Sequence, residues 1–228
     1  MKAKMFSALI ATIACLTLVG ASHAGIILID TFDDTHQAVN KAAPGPDTAA
    51  APEALGGFRT IVLTVVAGPL DATLVADGPT DFLTLSNDVG TSSTAVVGWD
   101  AAGAGLGVDL LDGFTAAERF FSLEIVSVDV GLVDLRIRID DVFANNATVD
   151  IVSPAPGIFK RKLSSFVGAG GIDYTQVNRI ELRLIGDVES DIAVDWVLVS
   201  QIPEPSTVVL LGIGILGVLG VSYRRRRS

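Results

Sequence analysis

Cysteine and histidine are almost absent from this chain of 228 residues. The single cysteine, Cys15, lies in an apolar segment near the start, and of the two histidines only His36 lies beyond residue 24. A chain that loses its first 24 residues would form no disulfide, bind no soft metal through sulfur and use no cysteine nucleophile. We expect His36 to be a loop residue, because a catalytic triad or a zinc site needs partners at defined positions.

Aromatic residues make up only 6% of the chain, and 16 basic residues stand against 26 acidic ones. Few aromatics are available to line a polysaccharide cleft, and no two acidic residues stand out as a glycosidase pair. The Gly-rich segment 103–107 lacks the Lys-Ser/Thr and the following helix of a phosphate loop. The four clustered arginines stand at the extreme C-terminus rather than along a nucleic-acid face. We therefore predict a protein that is not an enzyme and has no nucleic-acid partner.

Positive charge is confined largely to the two ends, whereas residues 25–201 hold 10 basic and 25 acidic residues, a net charge of −15. At the first end, two lysines precede an apolar run that continues to Gly20, and Ser22-His23-Ala24 is a small-x-small site. This pattern predicts a signal peptide, residues 1–24, that directs the chain to the general secretion machinery and is removed by signal peptidase before Gly25.

The other end, residues 202–228, has three parts in order. They are the tripeptide Pro203-Glu204-Pro205, an apolar run over about 207–223, and a cluster formed by Arg224, Arg225, Arg226 and Arg227. As a helix the run would extend about 25 Å, at the short end of what crosses a hydrocarbon core, and the arginines would hold its end in the cytoplasm. The pattern predicts a single transmembrane helix after an exported domain. An ordinary tail anchor with a coincidental Pro-Glu-Pro is the alternative.

These three parts together closely resemble the PEP-CTERM sorting signal found in Gram-negative bacteria that make exopolysaccharide. The resemblance implies an exosortase-type partner that recognises Pro203, Glu204 and Pro205. It also implies an inner-membrane intermediate held by the C-terminal helix, followed by delivery to the cell surface or to the extracellular matrix of a biofilm.

Strict alternation of apolar and polar residues indicates the fold class of residues 25–201. Val133–Asp140 places four aliphatic side chains on one face and four charges on the other, as in a half-buried antiparallel strand. In Phe121–Val130 the alternation slips between Ile125 and Val126, which predicts a β-bulge. Further strands are predicted at Ile26–Ile29, Arg59–Val66, Asp81–Leu85, Ala95–Trp99, Phe159–Leu163, Ile180–Leu184 and Ile192–Leu198, the last with Ile192, Val194, Trp196 and Leu198 on one face.

About ten short strands separated by turn residues predict an all-β fold, an antiparallel β-sandwich or jelly roll over residues 25–201. Residues 38–57 are rich in Ala, Pro and Gly and predict a long loop. Three short motifs resemble galactose-binding-like jelly rolls: Ile29-Asp30-Thr31-Phe32-Asp33, Gly56-Gly57-Phe58-Arg59 and Asp195-Trp196. The resemblance implies that the first and last strands lie side by side. Many such domains bind carbohydrate, but a fold does not transmit function.

Sugar binding requires an exposed aromatic ring with polar neighbours, and Trp99 with Asp100, ahead of a Gly-rich loop, is the best candidate. A core Trp99 at a strand end is the alternative. We expect Trp196 to lie in the core and Arg59 to pair with a carboxylate such as Asp195.

Calcium takes only oxygen ligands, and residues 25–201 contain 20 Asp but only 5 Glu. If the terminal strands pair, the candidate ligands are Asp30, Asp33, Asp34, Asp191 and Asp195. Asp is also common in turns, and no contiguous calcium-binding loop is present. The sequence thus predicts no required cofactor, with structural calcium as the alternative.

The function these observations favour is that of an exported, non-enzymatic surface or matrix protein, sorted by an exosortase and associated with exopolysaccharide. A carbohydrate-binding module with a defined glycan ligand and a secreted hydrolase are the alternatives.

Overall fold

The computed structural model of the chain describes residues 25–77, 80–129 and 133–201. Within them the backbone forms thirteen β-strands and two short 3₁₀-helices, Leu55–Gly57 and Leu163–Ser165. The strands are β1 (Ile26–Asp30), β2 (Gln37–Asn40), β3 (Asp47–Ala50), β4 (Phe58–Ala67), β5 (Ala72–Asp77), β6 (Phe82–Asn87), β7 (Ser92–Trp99), β8 (Arg119–Val128), β9 (Val133–Asp141), β10 (Asn146–Val152), β11 (Gly157–Lys162), β12 (Val177–Gly186) and β13 (Asp191–Gln201).

Gly25–Gln201 forms one compact unit. In the described part of the chain, no helix has both the length and the apolar character needed to cross a membrane. The predicted signal peptide, residues 1–24, and the predicted sorting segment, residues 202–228, lie outside the described residues.

The strands pair antiparallel in two sheets. Sheet A has the order β11-β8-β13-β6-β5-β2, with β1 also paired to β13, and sheet B has the order β10-β9-β12-β7-β4-β3. The two sheets form a β-sandwich, so the predicted all-β fold class is confirmed.

Alternation along the strands builds the core between the sheets. In β9, Leu135, Ile137 and Ile139 are buried, while Arg136 and Arg138 point outward. Burial of such aliphatic side chains stabilises the fold by about 1.5–3 kcal/mol each. The outward arginines form ion pairs with carboxylates: Arg136 Nε lies 2.6 Å from Asp150 Oδ1, and Arg138 Nε lies 2.7 Å from Asp140 Oδ1. Exposed pairs of this kind add little stability, so the sandwich depends mainly on its buried face.

The first and last strands lie side by side, as the jelly-roll resemblance implied. Ile26 is opposite Ser200 and Leu28 is opposite Leu198 in the β1–β13 pair. Strand β6 pairs with the first part of β13, where Leu83 is opposite Val194. Because β8 occupies the other edge of β13, β1 and β6 share one edge and meet end to end. This junction positions the candidate site described below.

The predicted loop over residues 38–57 is wrong. It contains β2 from Ala38 to its end, all of β3 and the helix Leu55–Gly57. Both strands have four residues and each joins the end of a sheet. Such short, Ala-rich segments carry little alternation of their own, and pairing with a longer neighbour decides their structure.

The predicted bulge at Val126 is confirmed. Ser127 is opposite Ala193 and Ile125 is opposite Val194, so β8 carries one extra residue between two consecutive residues of β13. The bulge reverses the direction of the side chains that follow, which is the slip visible in the sequence.

Candidate functional site

The residues predicted to direct sorting lie outside the described part of the chain. They are Pro203, Glu204 and Pro205, together with the arginine cluster 224–227. The candidate glycan and calcium residues, by contrast, all lie within it.

Trp99 is not available to a glycan. It is the last residue of β7 and its side chain is fully buried. The indole Nε1 donates to Asp30 Oδ2 at 2.7 Å, and the ring packs 6.4 Å from that of Phe32. A sugar needs an open ring face, so the predicted Trp99 contact is wrong and the alternative of a core tryptophan holds. Asp100 begins the next loop, where its Oδ1 accepts from the amide of Gly103 at 3.1 Å.

Asp30 is committed to a buried ion pair. Arg59 Nη1 donates to both of its carboxylate oxygens, at 2.9 and 3.1 Å, and both residues are fully buried. Gln37 Oε1 accepts from Arg59 Nε at 2.8 Å. Burial raises the pKa of Asp30, and the Arg59 charge opposes that rise. Arg59 therefore pairs with a carboxylate as expected, but the partner is Asp30 rather than Asp195.

The five aspartates proposed for calcium do not come together. Asp30 is occupied by Arg59, and Asp34 Oδ1 lies 3.7 Å from the same guanidinium. Asp191 begins β13 opposite Ser86, about 13 Å along the strand from Asp195. In residues 25–77, 80–129 and 133–201, no group of three or more potential ligands is placed to hold a metal ion. The five candidates therefore do not form one ligand cluster, because Asp30 and Asp34 face Arg59.

A second bulge lies where β1 and β6 meet. Val194 is opposite Ile125 and Val197 is opposite Leu123, so Asp195 and Trp196 of β13 together oppose the single residue Glu124 of β8. The extra residue shifts the alternation, so that Val197 and Val199 are buried while Trp196 and Leu198 are only half-buried. Trp196 is consequently not in the core, and the predicted single face from Ile192 to Leu198 is wrong.

Trp196 and Glu124 are joined on the outer face of sheet A. The indole Nε1 donates to Glu124 Oε2 at 2.7 Å, which fixes the ring beside a carboxylate. Burial raises the pKa of Asp195, and the negative charges of Glu124, Asp81 and Asp33 raise it further. We call these five residues, Asp33, Asp81, Glu124, Asp195 and Trp196, the junction site.

Chemically, the junction site offers one half-exposed aromatic ring and several hydrogen-bond acceptors. Of the aspartates predicted from the sequence, Asp33 and Asp195 are brought together here, whereas Asp30, Asp34 and Asp191 are not. Trp196 and Glu124 were missed as site residues. The phase slip at Ile125 indicated only the separate bulge of β8 at Val126, so no signal in the sequence marked the bulge of β13 that faces Glu124.

The fold and pairing described above define an antiparallel β-sandwich of the jelly-roll type. The PEP-CTERM protein-sorting motif matches residues 201–227 of the chain. The chain thus carries a PEP-CTERM sorting motif that follows the sandwich domain in the sequence, as Pro203-Glu204-Pro205 indicated. No curated protein matches the chain.

Among solved structures, the chain is similar to the carbohydrate-binding module CtCBM11 in solution, with 15% identity and a TM-score of 0.43 over 81% of this chain and 100% of that one. It is also similar to a family 11 carbohydrate-binding module from Clostridium thermocellum in complex with a β-1,3-1,4-mixed-linked tetrasaccharide (14% identity, TM-score 0.38, 78% and 96% covered). A third similar structure is TmCBM61 in complex with β-1,4-galactotriose (8% identity, TM-score 0.37, 75% and 90% covered).

Proposed function

We propose that this chain is an exported, non-enzymatic surface or matrix protein, delivered by an exosortase-type system and associated with exopolysaccharide. The sorting motif at residues 201–227 carries this proposal. An exported domain, a short apolar run and a cytoplasmic arginine stop would give an anchored intermediate in the inner membrane. Cleavage near the motif would then release the sandwich to the cell surface or the matrix.

The sorting step is tested by replacing the tripeptide. In the producing cell, we expect the chain carrying Pro203→Ala, Glu204→Ala and Pro205→Ala to stay full length in the membrane fraction, because the exosortase would no longer recognise it. The wild-type chain should lose its C-terminal segment and appear at the surface or in the matrix. Cell fractionation with intact-mass measurement distinguishes the two results.

The matched control removes another pair of prolines. Pro154 and Pro156 lie in the loop between β10 and β11, and their replacement by Ala should leave processing unchanged. Deletion of the exosortase should reproduce the tripeptide variant. Identical processing and location with and without the exosortase would refute the sorting proposal.

Glycan binding by the domain is a second candidate function, favoured by the half-exposed Trp196 beside Glu124 and Asp195. A flat ring can stack on the apolar face of a sugar while carboxylates accept hydrogen bonds from its hydroxyl groups. This arrangement supplies both groups on one outward face.

Affinity electrophoresis through a gel that contains the exopolysaccharide tests the second function. Trp196→Ala should weaken retention at least about tenfold, or about 1.4 kcal/mol, whereas Trp196→Phe keeps a ring and should retain part of it. Phe143→Ala removes an aromatic side chain that is 63% exposed elsewhere and should change nothing. Equal retention of wild type and Trp196→Ala, or no retention of the wild type, would exclude this site. Release of reducing sugar would instead indicate the hydrolase alternative.

A further inference from the structure

The outer face of sheet A changes character from one end to the other. The junction site, at the bulge of β13, is acidic. Toward the end of β13 the face becomes apolar and basic: Ile26, Ser200, Phe120 and Lys162 lie in one row across β1, β13, β8 and β11. Leu28, Leu198, Ser122 and Lys160 form the next row. Directly opposite residues in antiparallel strands share one face of the sheet, so each row is a continuous stripe.

We call Ile26, Leu28, Phe120, Lys160, Lys162 and Leu198 the basic-apolar face. Two of its apolar members are exposed, Ile26 at 62% and Leu28 at 37%, while Phe120 and Leu198 are half-buried. The Lys162 ammonium lies 5.6 Å from the centre of the Phe120 ring, which holds this charge over the apolar stripe. Adjacent exposed apolar side chains with a polar rim are typical of a surface that meets another surface.

The positive charge here contrasts with the rest of the domain. Residues 25–201 carry a net charge of −15, and Lys160-Arg161-Lys162 is the only run of three consecutive basic residues among them. Lysines on an edge strand can serve simply to block pairing with another chain. Protection of an edge does not, however, require the exposed aliphatic residues Ile26 and Leu28 on β1, which is not the edge strand that carries the lysines.

The chain leaves the domain from this same end. Strand β13 ends at Gln201, next to the row that contains Ser200 and Ile26. The five residues 202–206 reach at most about 18 Å when fully extended, before the apolar run that begins near residue 207. An anchored chain would therefore keep the basic-apolar face close to the membrane surface.

We propose that, in the anchored intermediate, the basic-apolar face rests on anionic lipid headgroups. The aliphatic side chains enter the interfacial region and the lysines contact phosphate groups. The acidic junction site lies farther along the same face and is repelled from the anionic surface, so it stays open to the outside. The proposal rests on the anchored intermediate of the proposed function.

A lipid-contact measurement on the anchored full-length chain tests this orientation. With Cys15→Ser, the chain has no other cysteine, so a fluorophore can be placed at Leu28→Cys on the basic-apolar face. The matched control is Ile185→Cys on sheet B, because Ile185 is 39% exposed and Leu28 is 37% exposed. Both chains are reconstituted in nanodiscs of phosphatidylglycerol or phosphatidylcholine that contain a quencher-labelled lipid.

We expect strong quenching at position 28 and little at position 185 in phosphatidylglycerol, with the difference reduced in phosphatidylcholine. A lysine near an anionic surface contributes about fivefold to binding, so Lys160→Glu with Lys162→Glu should remove most of the quenching at position 28 while the melting temperature is unchanged. This double variant also distinguishes lipid contact from edge protection, which predicts no change in quenching.

Besides unchanged quenching in the double variant, three results would overturn the proposal. Equal quenching at positions 28 and 185 would mean that the domain has no preferred face toward the lipid. Shielding of position 28 from iodide without lipid quenching would mean that a second copy of the chain covers the face. A chain that does not copurify with the nanodiscs would contradict both this proposal and the anchored intermediate, whereas the first two results leave the intermediate intact.

Discussion

At the scale of single residues, the structure decides between the two interpretations of Trp99 in favour of the core, and it overturns the core prediction for Trp196. Trp99 stands beside a Gly-rich loop, which suggested exposure, but its partner Asp30 lies 69 residues away in sequence and closes over it. Trp196 fitted an unbroken alternation and was therefore expected in the core. Contacts between distant segments and the phase of one strand after a bulge are properties of the folded chain, so a local pattern does not contain them.

Asp195 provides a stability prediction whose sign follows from its surroundings. Burial and then the neighbouring carboxylates raise its pKa above 3.8, so its ionised form is disfavoured in the folded state. Its stabilising contribution is complete below about pH 3.8 and is lost as pH rises through the folded-state pKa. Asp195→Asn should therefore be more stable than wild type at pH 7, with no difference at about pH 3. Urea unfolding at the two pH values measures this.

Asp173 is a control for Asp195, because its pKa is shifted in the opposite direction. Hydrogen bonds from Thr175 to Asp173 lower the pKa of that carboxyl below 3.8. This stabilisation is present above pH 3.8 and is lost as pH falls through the folded-state pKa, so Asp173→Asn should be less stable than wild type at pH 7. If Asp195→Asn were instead destabilising at pH 7, neither burial nor the neighbouring carboxylates would disfavour the ionised form of Asp195.

At the scale of elements, the sequence located every long strand, and the strands that it missed are all short. Strands β4, β8, β9, β12 and β13 each have nine or more residues and were all expected from their patterns. Strands β2, β3, β5 and β10 were missed; they have four to seven residues, and all four lie at or next to the end of a sheet. Seven residues hold at most four inward positions, so a neighbouring strand decides the outcome.

Two glycines in turns, Gly68 and Gly90, both have positive φ, but only Gly68 also lies too close to neighbouring backbone for a Cβ atom. Gly68, after β4, has φ +110°, and an added Cβ would lie 2.5 Å from Thr91 Cα and even closer to the Gly90 carbonyl oxygen. Gly90, before β7, has φ +76° but open space around it. Gly90→Ala should cost about 1 kcal/mol of unfolding free energy, from backbone strain alone. Gly68→Ala should cost about 3 kcal/mol, because the facing backbone must also move.

Denaturant unfolding of the two alanine variants makes this comparison directly, since both replace glycine by alanine at positive φ. Equal costs would show that the approach of the two turns contributes nothing, and that only the backbone angle matters at both positions.

At the scale of the whole molecule, the way in which the strands pair to close the sandwich decides where its charged residues lie. The jelly-roll resemblance correctly placed the first strand beside the last. It could not show that β1 and β6 divide one edge of β13 and leave Asp195 and Trp196 between them, because that depends on register. Four acidic residues thereby lie near one another at the junction, while the end from which the chain leaves is basic and apolar.

The net charge of −15 over residues 25–201 predicts how the melting temperature depends on salt. Like charges destabilise a compact state, and salt screens them over about 8 Å at 0.15 M, so the melting temperature should rise between about 10 mM and about 150 mM NaCl. Because Asp30 and Asp34 are engaged with Arg59, Ca²⁺ should stabilise the domain no more than Mg²⁺ does at equal ionic strength. If the domain had a calcium site, free Ca²⁺ at 100 times the Kd of that site would raise the free energy of unfolding by about 2.7 kcal/mol. A calcium-specific shift of that size would therefore show that acidic residues converge on binding, whereas equal shifts with the two cations would assign the whole effect to screening.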